Sequence, residues 1–303
     1  MKKTDLINKI NELKKQKKAV VLAHCYQNIE IDEVADFVGD SLSLSRQAAE
    51  TDADMIIFAG VYFMAETAKI LSPQKKVILP RLESGCFMAD MITGEDLKAF
   101  KAQHPGAPVV CYVNSTAEVK AESDICCTSS NAVKVVKSLP DQKVIFVPDR
   151  GLGAYVASQL PDKEIILYSG YCPTHMRIRP EDIEGKKQEY PEARVLVHPE
   201  CHRSVIELAD YVGSTSGIMD RVKTGSEDTF IIATEKGVVD RLQRDYPDKK
   251  FILATEKAIC ENMKWISLED VLNSLKNEGP EIDVDKDIAE KAVSSIDRML
   301  RVL

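Results

Sequence analysis

KKVILPRLESGC (75–86), KEIILYSGYC (163–172) and KKFILATEKAIC (249–260) are three versions of one pattern: a lysine-led apolar run of strand type, a short linker and a cysteine. Working outward from each, the same order of features recurs. The first copy opens with the strand-like KAVVLAH (18–24), passes the turn VGDSLS (38–43) and the run MIIFAG (55–60), and reaches Cys86. The second runs PVVCYVN (108–114), DICCTSSN (124–131) and KVIFVPDRG (143–151) to Cys172, and the third ARVLVHPE (193–200), YVGSTSG (211–217) and TFIIATEKG (229–237) to Cys260. The cysteines lie 86 and 88 residues apart, and Ser41, Ser129 and Ser214 lie 88 and 85 apart. Chance echoes of strand and helix are common in α/β chains, but two chemical markers keeping one phase are not. Apolar runs alternating with helix-period segments are the signature of parallel βαβ units, and a period near 87 residues suits a small four-stranded αβα sandwich. The expected fold is α/β: three αβα sandwich domains (1–86, 87–172 and 173–303) with parallel sheets, related by a pseudo-threefold axis, with the active site on that axis.

At 303 residues and 44% hydrophobic content the chain can bury a large core. Its net charge of −8, with no basic stripe and no interleaved aromatics, excludes a nucleic-acid binder and points to a small-molecule partner. The Lys-rich N-terminus has apolar residues at helical spacing and no continuous apolar core, so it reads as an amphipathic helix rather than a targeting segment. With no run of about 18 apolar residues to span a bilayer, a cytoplasmic protein is expected. Eight cysteines in such a chain point to metal or thiol chemistry more than to disulfides.

None of the cysteines forms a C-x-x-C pair, so any metal site is assembled from distant segments. Cys86, Cys172 and Cys260 each follow the last strand of a copy, and pseudo-symmetry would bring them to one axis. Three thiolates suit a 4Fe-4S cluster with one iron left without a protein ligand, or a zinc ion with water in fourth place. Cys25, Cys111, Cys126, Cys127 and Cys201 share no phase and read as packing residues.

Parallel sheets bind ligands beyond the carboxyl ends of their strands. Three of the five histidines, His24, His175 and His198, fall on that face with Glu200, a set suited to acid–base work or anion binding. His104 reads as a surface-loop residue and His202 as a helix start. The turns at Ser41, Ser129 and Ser214, the last with Thr215, stand where strands pass into helices. Plain helix capping explains one such turn, but three in phase suggest a ligand carrying several anionic groups. Tyr26 and Tyr112, at first-strand exits, are placed either to donate to an oxyanion or to pack a strand end.

The segments LAHCYQ, GDSLSLS, FMAETAKIL, SGCFMAD, YVNS, CTSSNA, CPTH, VHPEC, YVGST and AICENM, spread from about residue 17 to 265, together resemble the quinolinate synthase (NadA) family. The resemblance implies three αβα domains around a 4Fe-4S cluster held by Cys86, Cys172 and Cys260. It also implies a condensing transferase joining iminoaspartate to dihydroxyacetone phosphate, giving quinolinate, phosphate and two waters in NAD biosynthesis, with the open iron as Lewis acid. Carried over position by position, the site comprises His24, Tyr26, Ser41, Tyr112, Asn114, Ser129, His175, His198, Glu200, Ser214 and Thr215. Glu200, Tyr26, His24, His198 and Tyr112 are the expected catalytic group, with Glu200 the principal base. An aspartate oxidase or dehydrogenase would supply the imine. Cys25 departs from the asparagine common in AHNYQ of relatives, which touches only local packing.

Rival readings are another cluster-dependent hydro-lyase of a small acid, a zinc protein, and an anion-binding iron or oxygen sensor, though no DNA- or partner-binding module accompanies the last. The polar segment 220–229 is read as either a mobile flap or an ordinary loop. The C-terminal run places Ile288, Ala292, Ile296, Met299 and Leu303 at helical spacing, a closing helix expected to pack on the first or third copy.

Overall fold

In a computed structural model that describes residues 2–302, each repeat folds as a helix followed by a four-stranded sheet with helical connections. The first unit comprises α1 (Lys3–Gln16), β1 (Ala19–His24), β2 (Phe37–Gly39), α2 (Ser41–Glu50), β3 (Met55–Ala59), α3 (Tyr62–Leu71) and β4 (Lys76–Ile78). The second comprises α4 (Gly94–Ala102), β5 (Val109–Tyr112), α5 (Ala117–Ala121), β6 (Ile125–Cys127), α6 (Ala132–Ser138), β7 (Lys143–Val147), α7 (Arg150–Gln159) and β8 (Glu164–Leu167). The third follows a short helix α8 (Pro173–Met176) and comprises α9 (Pro180–Glu189), β9 (Arg194–Val197), α10 (Arg203–Ile206), β10 (Tyr211–Val212), α11 (Thr215–Thr224), β11 (Thr229–Ala233), α12 (Lys236–Asp245) and β12 (Lys250–Leu253). Helices α13 (Leu268–Asn277) and α14 (Lys286–Arg301) end the chain.

Strand orders are β2-β1-β3-β4, β6-β5-β7-β8 and β10-β9-β11-β12, with every named pair parallel. The expected α/β fold of three αβα sandwiches is therefore present. The strands are continuous apolar runs because helices cover both faces. In the third sheet Val195, Val197 and Ile231 enter one buried cluster while Leu196, Phe230 and Ile232 enter the other, the alternation a pleated strand imposes. One device is repeated in every sheet. Asp36, Asp124 and Asp210, spaced 88 and 86 residues apart, each stand before the second strand and accept the N–H of Val21, Val109 and Val195 in the first, at 2.7–2.8 Å. Their own N–H groups return the bond to those valine carbonyls.

The C-terminal residues differ from expectation. Residues 261–302, placed in the third domain with a closing helix expected to pack on the first or third copy, are shared between the first two sheets. Helix α13 packs on α1 and β3, placing Leu268, Val271, Leu272 and Leu275 in the first core. Ile282 N–H then bonds to Val77 O, and Leu79 N–H to Pro280 O, beside β4. Helix α14 touches α3 of the first unit but lies chiefly on α5 and β6 of the second, burying Ala292, Ile296 and Met299 there. An amphipathic pattern states which helix face is apolar and says nothing of the partner. Leu303 lies outside the described residues.

Candidate active site at the junction of three sheets

The carboxyl ends of the three first strands open onto one cavity of about 70 Å³. Its lining includes His24, Tyr26, Ser41, Cys86, Tyr112, Asn114, Ser129, Cys172, His175, His198, Glu200, Thr215 and Cys260. The positions are equivalent by repeat. His24, Tyr112 and His198 lie 88 and 86 residues apart, and so do Tyr26, Asn114 and Glu200. Tyr112 therefore answers to His24, and Asn114 to Tyr26. Ser41, Ser129 and Thr215 keep the same spacing, so Thr215, not Ser214, is the third member of the hydroxyl ring. Ser214 sits one residue back, outside the lining, where its hydroxyl accepts Gly217 N–H at 3.1 Å and caps α11.

Glu200 is the electrostatic centre. His175 Nδ1 lies 2.7 Å from one carboxylate oxygen, and Tyr112 Oη donates to the other at 2.5 Å. Burial raises its pKa, but the pull of His175 and His198 and these bonds outweigh it, holding the carboxyl well below its usual range. His175 is fixed at its other nitrogen by Thr234 Oγ1 at 2.9 Å and stacks on His198 with ring centroids 4.5 Å apart. Tyr26 Oη shares that Thr234 hydroxyl at 3.2 Å and reaches Thr215 Oγ1 at 3.0 Å. Burial, reinforced by the Glu200 charge, pushes both tyrosines well above the ordinary phenol value, so both are protonated donors.

His24 and His198 are oriented alike. Nδ1 of each accepts the N–H two residues on, from Tyr26 at 3.1 Å and Glu200 at 3.3 Å, which leaves the ring proton on Nε2. Burial lowers their pKa values to about 4 and about 3, with His175 adding to the effect on His198. Both are neutral donors at working pH. Asn114 offers the reverse polarity: its Oδ1 is buried with no protein partner, so a ligand hydrogen is what it lacks.

A model of the family described as "Quinolinate synthetase A protein" matches residues 8–301. The chain is 57% identical over 293 residues to the quinolinate synthase of Pelobacter propionicus (97% of this chain, 96% of that one). It is 53% identical over 302 residues to that of Alkaliphilus metalliredigens, covering all of both chains, and 54% identical over 296 residues to that of Dehalococcoides mccartyi (98% of each). The chain belongs to the quinolinate synthetase A family.

The three cysteines are the residues that would hold the cluster the resemblance implies. Each opens a short turn: the 3-10 turn Ala89–Met91 after Cys86, α8 after Cys172, and the 3-10 turn Glu261–Lys264 after Cys260. Each sulfur is approached by N–H groups of that turn, Met88 and Ala89 for Cys86, His175 for Cys172 and Met263 for Cys260. Burial pushes all three thiols up, Cys86 to about 12; the neighbouring sulfurs add to it at Cys86 and Cys172 and the Glu235 carboxylate at Cys260, so thiolates here call for a cation. Among the described residues, the one set of three metal-type ligand atoms within 4.8 Å of one another is that of Cys172, His175 and Glu200, not the three sulfurs. Sulfurs sharing one zinc sit about 3.8 Å apart, so the trio suits a larger group with one sulfur at each of three corners.

Sequence reasoning passed over two further carboxylates. Asp149 and Glu235, 86 residues apart, cap α7 and α12, and each also accepts the N–H of its own unit's cysteine, Cys172 at 3.1 Å and Cys260 at 3.2 Å. The repeat phase was the available signal; Val61 holds the matching place in the first unit and carries no acceptor. His104 and His202 stay outside the lining, and His202 caps α10. The segment 220–229 is no part of the lining either: it ends α11, Arg221 pairs with both oxygens of Glu227, and Lys249 holds the Val222 and Gly225 carbonyls. Among the described residues no helix is long and apolar enough to cross a membrane.

Proposed function

We propose that the chain is a quinolinate synthase, a cytoplasmic enzyme that condenses iminoaspartate with dihydroxyacetone phosphate to give quinolinate, phosphate and two waters. The observation that carries this reading is one cavity holding three phased cysteines beside the Glu200–His175–Tyr112 group, in a chain of this family. Cys86, Cys172 and Cys260 hold a 4Fe-4S cluster, which when bound supplies an iron free of protein ligands as a Lewis acid for loss of water without net redox change.

The chain's own groups do the rest. Glu200, ionised, is the base that moves a proton between adjacent carbons of the triose-derived intermediate, and His175 holds the carboxylate in place. Tyr112, hydrogen-bonded to Glu200, and the Nε2–H groups of His24 and His198 stabilise the oxyanion that develops. Tyr26, linked to His175 through the Thr234 hydroxyl, donates beside them, and Asn114 Oδ1 accepts a substrate N–H or O–H. The hydroxyls of Ser41, Ser129 and Thr215, supported by the Ser214 cap, hold the two carboxylates and the phosphate. The labile imine comes from an aspartate oxidase or dehydrogenase, and its place in a deep cavity limits its contact with bulk water. Anaerobically prepared holoprotein is expected to contain about four iron and four sulfide per chain and to make quinolinate from the two substrates. Cluster-loaded protein that makes none overturns this reading in favour of another hydro-lyase.

A further inference from the structure

One residue breaks the threefold pattern in the row just before the hydroxyl ring. Position 40 carries aspartate where the matching positions, 88 and then 86 residues on, carry Thr128 and Ser214. Asp40 Oδ1 accepts Ser43 N–H at 2.9 Å and caps α2, as Ser214 caps α11. Its Oδ2 does what neither counterpart does: it accepts the hydroxyl of Ser130 at 2.9 Å and that of Ser216 at 2.7 Å. Those serines are equivalent residues of the second and third units, each one place beyond the cavity-lining Ser129 and Thr215, where the first unit has Leu42. One oxygen of the first unit thus receives a hydroxyl from each of the other two. Asp40 lines the cavity and is 8% exposed, whereas Ser130 is open to solvent, so this knot sits at the mouth.

The combination of one acid and two hydroxyls follows from charge. Three carboxylates at this point would repel, while a single carboxylate binds two hydroxyls more strongly than a third hydroxyl would. We propose that Asp40 is a positioning residue that ties the three units together at the cavity mouth. It holds Ser41, Ser129 and Thr215 at the spacing a pair of substrates with three anionic groups requires. The proposal rests on the functional reading above for its substrates, but the tie itself is a property of the free protein.

Because Asp40→Ala also removes the α2 cap, the decisive variant is Ser130→Ala/Ser216→Ala, which leaves that cap intact. If the closed arrangement falls to about a tenth of the population, KM for dihydroxyacetone phosphate rises about tenfold while kcat stays within about threefold. Iron content is unchanged, and Asp40→Asn, which keeps the shape and the cap oxygen, lies between wild type and the double variant. Hydrogen–deuterium exchange of the substrate-free holoprotein supplies a readout without turnover. Uptake should rise in the peptide 39–44, which carries no substitution, as well as in 127–133 and 213–218. Unchanged KM and unchanged uptake in 39–44 overturn the proposal, as does a loss of kcat with KM preserved. A wild-type chain that makes no quinolinate overturns the functional reading instead, and the exchange in 39–44 then decides for or against the tie.

Discussion

Two rings of the same cavity use the pseudo-symmetry in opposite ways. In the cysteine ring every unit contributes the same residue at the same place, Cys86, Cys172 and Cys260, each at the head of a short turn. In the strand-end rings the equivalent places hold different residues: His24, Tyr112 and His198 in one, Tyr26, Asn114 and Glu200 in the other. Uniform placement suits an object with equivalent corners. Differentiated placement suits chemistry on an asymmetric substrate, and electrostatics enforces it. Glu200 stays ionised in a buried site because its two counterparts are neutral and two histidines stand beside it; three carboxylates there would drive one another protonated.

Breaking the uniform ring should have the largest effect. Cys86→Ser removes one of three like ligands and is expected to lose the cluster, with visible absorbance and iron content falling to near zero in anaerobic preparations, and activity with them. A variant that kept wild-type iron would mean that the three cysteines do not act as a set.

Breaking the differentiated ring should leave the metal content intact and remove the chemistry. Glu200→Gln keeps the shape of the side chain but not its charge, and kcat is expected to fall by about 10² to 10⁴. The pH profile gives a second reading. The carboxyl is held below its usual range, and His24 and His198 protonate only near about 4 and about 3. In the wild type, activity on the acid side should therefore persist through pH 5 and fall only as these low values are reached. An acid limb centred near 6.5 would place a titrating histidine, not Glu200, in control.

The sequence told these regions apart unevenly. Buried parallel strands read as apolar runs, and a cysteine after each last strand marks a phase, so the three sheets and the cysteine ring were legible. In the third unit the hydroxyl ring was read as Ser214 with Thr215, without assigning a separate part to each. Ser214 and Thr215 are both hydroxyl residues at a helix start; the 88- and 86-residue spacing of the strand-end rings singles out Thr215, and in the structure Ser214 caps while Thr215 lines the cavity. The Tyr112–Glu200 bond joins residues of two units across the junction, and no periodicity encodes an inter-unit distance. Asp40, Asp149 and Glu235 look in sequence like ordinary caps, and they are caps; their second oxygens or second bonds carry the additional role. The α14 contacts escaped for a related reason, since two sheets offered an apolar surface and the helix pattern fits either.

The smallest expected effect tests whether the hydroxyl ring is uniform in function although not in residue type. Ser41 and Ser129 are serines while Thr215 carries an extra methyl, 3% exposed and beside Tyr26. If the position requires only a hydroxyl, Thr215→Ser should keep kcat/KM within about threefold and cost about 1 kcal/mol of stability for the buried methyl, read as a small fall in Tm. Thr215→Ala, which also removes a partner of Tyr26 Oη, should cost about tenfold or more in kcat/KM for the same loss of carbon. Equal effects from the two substitutions would mean that the methyl, not the hydroxyl, sets the geometry. The third unit would then contribute to the ring by shape where the other two contribute by hydrogen bonding.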